Sequence, residues 1–424
     1  MINSSQALLF PPPARPSSVF NSDELEREID SFSEFGRESE RRTLIVSGWG
    51  DVPVFVNEFW TAKQRAASSL HEVSYRACFK PQLPRFFIER LTDPGDIVYD
   101  PFMGRGTTLI EAALLNRTPY GCDINPLSQI LVGPRLAPPH LADVQSRLGK
   151  IDFGAPVDLP GELMVFYHPK TLEQICALRN YLLTRQCAGD LDPVDLWIWM
   201  VACNRLTGHS SGFFSVYTLP PNQAVSVDAQ RKINQKLGQS PPPRNVPQLI
   251  LKKTRQLLRD VDDSVRLETR QRTKASIILT GSSDRTPQIT SNSVTLSVTS
   301  PPFLDTVDYE QDNWLRAWFC GIDLSKVPIW QIRSLDEWRA SMCHVMREVR
   351  RVLRPAGWLA FEVGEVRNGG ITLENSALEA GIEAGLRPVL VLINKQSFTK
   401  TSNCWGVKNL TKGTNTNRIV LFQK

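Results

Sequence analysis

What the chain lacks narrows its function first. Its eight cysteines (Cys78, Cys122, Cys176, Cys187, Cys203, Cys320, Cys343 and Cys404) include no C-x-x-C pair, and the five histidines do not gather near them. The spacing that structural zinc sites require is missing, so no metal is expected. No apolar run is long enough to span a bilayer, which excludes a helical membrane protein. No signal peptide is evident, so the scattered cysteines read as reduced thiols of a cytoplasmic protein. There is no internal repeat. Charge of one sign is scarce too: the formal net charge is +5. That excess permits a polyanionic partner without requiring one.

What is present is ordinary in bulk and specific in detail. With 424 residues, 41% hydrophobic and 22% charged, the chain has enough material for two or more domains. Residues 1–45 hold "FPPPARPSS" and then "DELEREIDSFSEFGRESERR". They predict a flexible leader carrying one short helix at most. Further on, strand and helix patterns alternate. "DIVYDPF" reads as a buried strand, "TTLIEAALLNR" as a helix with Leu109, Ile110, Ala113 and Leu114 on one face, and "YGCDINP" as a second strand. After residue 275 the pattern returns. The strands "ASIILTG", "VTLSVTS" and "WLAFEVG" are joined by a helix over "LDEWRASMCHVMREVRRVL" that Pro355 and Gly357 stop. A helix over "ENSALEAGIEAGL" precedes the strands "PVLVLINK" and "NRIVLFQ", which follow one another directly and so suit an antiparallel pair at one edge. The expected class is α/β: a mostly parallel, Rossmann-like sheet with an antiparallel edge strand.

Residues 46–134 and 275–424 are thus two parts of one sheet domain, and 135–274 a mainly helical insertion. The insertion contains "KTLEQICALRNYLLTR", "DPVDLWIWMVACNRL", the Gly/Pro/Ser-punctuated "TGHSSGFFSVYTLPPNQAVSV", the linker-like "GQSPPPRNVPQ", and one long basic helix, "LILKKTRQLLRDVDDSVRLETRQRTK".

Two motifs carry chemistry. In "DPFMGRGTTLIEAALL" a glycine-rich turn lies between a strand and a helix. Gly104 and Gly106 let the backbone approach a ligand, and the helix offers free N–H groups. Asp123 follows roughly 20 residues on, at the end of the next strand, where a carboxylate can accept two ribose hydroxyls. A nucleoside-containing cofactor is expected there, with Asp100, Phe102, Thr107, Thr108, Ile124 and Asn125 beside it. Purely structural roles compete: turn glycines, a helix cap at Asp100, an Asx-turn at Asp123 before Pro126. NAD is the other ligand for such a turn, but the third glycine of that pattern is missing.

The second motif is "VTSPPFLDTVDYEQDNW". Two prolines at a strand's C-terminal end hold the chain extended and leave carbonyls bare. Fixed carbonyls can accept the protons of an N–H₂ group, and Phe303 can stack on a flat ring. Accepting both protons frees a base's amino lone pair and stabilises the charge that develops as nitrogen attacks a methyl group. Holding the reactants in line can contribute about 7–11 kcal/mol more. Ser300, Pro301, Pro302 and Phe303 are the candidate catalytic residues. A strand-terminating turn is the plain structural reading.

With both motifs quoted, the resemblance is clear. "DPFMGRGTT" with "TSPPF" resembles the S-adenosylmethionine-dependent DNA amino-methyltransferases, and the Ser form is similar to the branch that modifies cytosine at N4. The resemblance covers roughly 70–134 and 275–424. It implies S-adenosylmethionine as cofactor, double-stranded DNA as partner, an extruded target base, a prokaryotic source and a restriction–modification setting with a cognate endonuclease. It also implies cofactor contacts from "FKPQLPRFFIERL" (Lys80, Pro81, Leu83) and from the "GSSD" stretch (Ser283, Asp284). Downstream, Tyr309 and Asn313 are candidates for the base pocket, although Trp314 and Trp318 equally suit a packed helix face with Asp308 and Asp312 on its solvated side. His209, Lys252, Lys253 and Arg255 of the insertion are candidates for DNA contact, against the plainer reading of a loop histidine and a solvated helix face. The insertion is the expected target-recognition segment. Many cytosine-N4 enzymes carry the circularly permuted motif order, and this chain does not. The alternatives are adenine-N6 methylation of DNA, methylation of an RNA amino group, and a non-enzymatic DNA-binding protein.

Overall fold

The computed structural model describes residues 21–61, 67–75, 78–218, 224–302, 309–330, 332, 334–363, 365–366, 371–395 and 416–424. Strands are β1 (Glu40–Val46), β2 (Gly50–Asn57), β3 (Ile97–Asp100), β4 (Thr118–Asp123), β5 (Ile277–Thr280), β6 (Val294–Thr299), β7 (Leu353–Val363), β8 (Glu365–Val366), β9 (Ile371–Thr372), β10 (Arg387–Lys395) and β11 (Thr416–Gln423). The helices up to the middle of the insertion are α1 (Ser22–Asp30), α2 (Gln82–Leu91), α3 (Thr107–Leu114), α4 (Leu127–Leu136), α5 (Leu141–Lys150), α6 (Pro169–Ala188) and α7 (Pro193–Cys203). Those that follow are α8 (Val227–Leu237), α9 (Val246–Leu257), α10 (Asp263–Thr273), α11 (Tyr309–Cys320), α12 (Leu335–Val352) and α13 (Leu373–Glu383).

Among the described residues, nine strands form one sheet in the order β1-β2-β10-β11-β7-β6-β3-β4-β5. The run β7-β6-β3-β4-β5 is parallel throughout. β11 lies antiparallel between β7 and β10. β10 and β11 pair antiparallel, as their direct succession suggests, but the β1–β2 hairpin extends the sheet past β10, so the antiparallel edge strand is β1. The chain from Asn21 on is therefore more than a leader. Asn21 caps α1 with a reciprocal bond to Glu24, and Leu25 and Ile29 bury against the sheet.

Strand side chains alternate between two cores, as a pleated sheet requires. Trp358 and Ala360 of β7, with Ile419 and Leu421 of β11, face α1 and α2. Leu359, Phe361, Val420 and Phe422 face α12 and α13. A third core lies beyond the sheet, between α3, α4 and the inserted helices, around Trp197, Trp199 and Phe214. α3 is consequently buried nearly all round, including Thr107, Thr108 and Glu111, rather than on one face.

Two helix boundaries differ from expectation. The long basic helix is broken into α9 and α10, because Asp260 turns back to accept the Ser69 N–H and Asp262 caps α10 at the Val265 N–H. α12 ends at Val352, three residues before Pro355; "RPAG" is instead a bulge at the start of β7, with Ala356 at positive φ.

Candidate functional site

The C-terminal ends of β3, β4, β5 and β6 lie side by side, and a cleft opens beyond them, where parallel sheets take ligands. The first wall is the glycine turn. β3 ends at Asp100 and the chain turns into α3 with Gly104 and Gly106 at φ +47° and +75°. A Cβ at Gly106 would stand 2.5 Å from Val132 Cγ2 of α4, so only glycine fits. No side chain caps α3, which leaves its first N–H groups for a ligand. Thr107 lines the cleft, whereas the Thr108 hydroxyl donates to the Val298 carbonyl at 3.1 Å and serves to pin α3 to β6.

Asp123 ends β4 and lines the cleft. One carboxylate oxygen accepts the Gly104 N–H at 2.8 Å and the other the Asn125 N–H at 2.9 Å. The Asx-turn and the binding reading therefore meet in one side chain. Burial raises its pKa, and these two bonds oppose the rise. Ile124 and Asn125 also line the cleft. Asn125 Oδ1 accepts the Leu127 N–H at 3.0 Å, but its Nδ2, equally buried, has no partner among the described residues. A buried donor left open at a cleft wall suits a ligand rich in acceptors.

The second wall is the Ser-Pro-Pro turn that follows β6. Asp100 joins the two walls: its Oδ1 accepts the Phe102 N–H at 3.0 Å and the Thr299 hydroxyl at 2.6 Å. It does not cap α3, whose N-cap position is Gly106. Burial pushes its carboxyl up to about 7. Ser300 and Pro302 line the cleft, while Pro301 is buried. The Ser300 hydroxyl donates to Glu362 of β7, which also accepts Asn417 Nδ2. Burial pushes Glu362 up to about 7 against both bonds. The Pro302 carbonyl is not bare: it accepts the Trp338 indole N–H of α12 at 3.0 Å. The turn is thus held by three neighbours as well as by its prolines. Phe303 lies outside the described residues, as do Asp308 and the side chain of Tyr309.

Both motifs line one cleft that is partly open to solvent. Sequence reasoning missed several of its walls. Tyr75, Cys78 and Phe79 line it from the segment before α2. Leu83 points instead into the core beside Phe86 and Phe87, Pro81 sits at the start of α2, and neither they nor Lys80 reach the cleft wall. The segment "FKPQLP" thus meets the cleft at Phe79, one residue before Lys80. Ser282 and Ser283 line the cleft, with the Ser283 hydroxyl donating to the Pro101 carbonyl; Asp284 points to solvent. Trp330 closes one side, its ring edge-on to Phe102 at 6.0 Å between centroids.

The weaker candidates lie elsewhere. Asn313 is buried on α11 and accepts from Arg316 at 2.9 Å, and Asp312, expected in solvent, is buried beside it. His209 is exposed, its ring 6.1 Å from Phe213. On α9, Lys252 and Arg255 face solvent, while Lys253 turns inward toward Glu72 at 3.6 Å. Among the described residues no cluster of three metal-ligating side chains occurs, and no helix is long and apolar enough to cross a membrane.

Residues 19–129 match a family model described as DNA methylase. That stretch runs from α1 through the glycine turn and Asp123 and stops before the Ser-Pro-Pro turn. The chain is 29% identical over 126 residues to the type II methyltransferase M.MvaI of Kocuria varians, covering 29% of this chain and 24% of that protein. It is 39% identical over 62 residues to the type II methyltransferase M.MjaII of Methanocaldococcus jannaschii, covering 15% and 12%. The chain thus spans a quarter or less of the length of these relatives. Among solved structures, a DNA modification methylase from Thermus thermophilus overlaps 32% of this chain and 46% of its own at 22% identity and a TM-score of 0.20. The rRNA methyltransferase AviRa of Streptomyces viridochromogenes overlaps 86% and 91% at 11% identity and a TM-score of 0.32. The α/β class itself stands on this chain's own strand order, and what the chain shares with the DNA methyltransferases is the segment that carries its glycine-rich turn.

Proposed function

We propose that the protein methylates the N4 amino group of cytosine in double-stranded DNA, using S-adenosylmethionine. The observation that carries this reading is the meeting of the glycine turn and the Ser-Pro-Pro turn in one cleft, tied together by Asp100. The cleft residues fit the cofactor. Asp123 offers a carboxylate to ribose hydroxyls, the open Asn125 Nδ2 offers a donor, and Phe102 and Trp330 offer apolar faces to a purine ring. When bound, the cofactor supplies an electrophilic sulfonium methyl.

The chain's own residues do the rest. The Ser-Pro-Pro turn takes the protons of the amino group on fixed acceptors, and Ser300 stands where it can take one. As the amino N–H proton passes to Ser300 Oγ, the Ser300 hydroxyl proton passes to the Glu362 carboxylate, so the nitrogen ends neutral and Glu362 protonated. A carboxyl titrating near 7 is suited to such a transfer at neutral pH. The target base must leave the duplex to reach this turn, at a cost of a few kcal/mol. The inserted helices α5–α9, which pack on α4 and α11, are the segment we assign to holding and reading DNA. The Ser form of the turn favours cytosine over adenine, and a restriction endonuclease of the same specificity would be the natural companion.

The test is transfer of labelled methyl from S-adenosylmethionine to DNA and to RNA in parallel, followed by nucleoside separation. Label in N4-methylcytosine that disappears in Ser300→Ala supports the reading. Label in N6-methyladenine or in RNA alone replaces it with one of the alternatives.

A further inference from the structure

Beside the cleft, on the side of the inserted helices, cations gather inside the protein. Arg205 follows α7, Lys253 lies on α9 and Arg316 on α11, and each is between 6% and 8% exposed. Arg205 stacks its guanidinium over the Phe213 ring at 4.0 Å and donates to the Asn204 carbonyl at 2.9 Å. Arg316 donates to the Ser74 carbonyl at 3.2 Å and lies over the Tyr75 ring at 5.8 Å. Tyr75 lines the cleft, so the cluster adjoins it directly.

Among the described residues no carboxylate forms an ion pair with Arg205. Glu72 is shared between Lys253 at 3.6 Å and the exposed Arg259 at 3.1 Å. Asp312 stands one turn before Arg316 on α11. Repulsion within the cluster adds to burial and lowers Arg205 to about 10 and Lys253 to about 8. Crowding cations away from water is costly unless an anion offsets them. A second observation points the same way. Asn204 is 3% exposed, its Oδ1 accepts the Ser74 N–H at 2.6 Å, and its Nδ2 has no partner among the described residues. It is a buried donor beside Arg205 with nothing to donate to.

We infer that Arg205, Lys253, Arg316 and Asn204 form a binding site for a phosphodiester of the substrate strand, next to the extruded nucleotide. The inference rests on the DNA reading above. The location explains the loop "NRLTGHSSGFFSVY", which packs Phe213 against Arg205 instead of against the core. It also links the insertion to the reacting turn, because α11 is the helix that the Ser-Pro-Pro segment runs into. Such a phosphate contact contributes affinity and register, with no sequence readout.

The test is the salt dependence of binding to duplex DNA carrying one unpaired cytosine. A variant that loses one phosphate contact flattens the slope of log K against log salt by about 1. Arg205→Gln and Lys253→Gln should each do so, while Arg205→Lys should keep most of the slope. Circular dichroism and cofactor affinity, both expected to match the native protein, show that the variants fold. Native DNA binding with unchanged slopes in both folded variants overturns the site and leaves the DNA reading standing. Native protein that binds no DNA overturns that reading itself. If inorganic phosphate raises the melting temperature of the native protein but not of Arg205→Gln, and the DNA slopes do not change, the site takes free phosphate and the inference is wrong.

Discussion

Replacing Glu362 by Gln separates chemistry from architecture. The native carboxyl titrates near 7 in the fold against an ordinary value of 4.5, because it is buried in β7 with Ser300 and Asn417 as its partners. A folded pKa above the unfolded one means that the fold binds this proton more tightly than the unfolded chain does. Its stabilisation is complete below about pH 4.5, fades as pH rises, and is gone above about 7. A shift of this size corresponds to about 3 kcal/mol. Gln cannot titrate, so its urea-unfolding free energy should fall by about 3 kcal/mol less than that of the native protein between pH 4 and pH 8. Asp100 titrates with the same sign in both proteins, so the difference between them is the quantity to read. Activity should run the other way. The ionised form accepts the proton, so native kcat should rise through pH 7, and Glu362→Gln should lose that limb together with about 100-fold in kcat. Cofactor affinity should not change. Equal pH slopes in the two proteins, or an intact acidic limb in Glu362→Gln, would refute the reasoning.

Three further outcomes are expected. Gly106→Ala places a methyl into Val132 at positive φ, and should cost about 2–5 kcal/mol in thermal or urea unfolding together with cofactor affinity. Asn125→Asp keeps the acceptor for the Leu127 N–H, removes the open Nδ2 donor and buries a second carboxylate beside Asp123, so calorimetry should show cofactor binding weakened about 10-fold or more, with stability lower at neutral pH than at acid pH. Glu348 accepts Thr286 N–H and hydroxyl at 2.6 and 2.7 Å and pairs with Arg351, and these bonds hold it near 2 despite burial. This depressed carboxyl stabilises the fold above its unfolded pKa of about 4.5 and loses that effect as pH falls through 2, so Glu348→Gln should cost about 2–3 kcal/mol at pH 7 and flatten the acid limb of an unfolding titration.

The central strands, the glycine turn and the Ser-Pro-Pro turn were legible because each is a local pattern: a short apolar run ending in Asp, Gly or Ser-Pro. β1 was not legible. "ERRTLIV" is an edge strand with one face in water, and its arginines mask the period. The break between α9 and α10 depended on Ser69, far away in the chain, receiving Asp260. The same holds in the site. Asp123 announced itself by spacing, whereas Glu362 was hidden in the plain strand "WLAFEVG". An acid inside a buried strand was the available signal, but its partner Ser300 is known only from the pairing of β6 with β7. Trp330 and Tyr75 sit on irregular segments with no period at all, and only tertiary packing brings them to the cleft.

The most direct measurement is a crystal structure with a non-reactive cofactor analogue and a duplex carrying an unpaired cytosine. The ribose should lie against Asp123, and the cytosine amino nitrogen should be held by Ser300, facing the analogue's transferable group. A cytosine that remains stacked in the duplex, or an analogue bound away from Asp123 and Asn125, would contradict it.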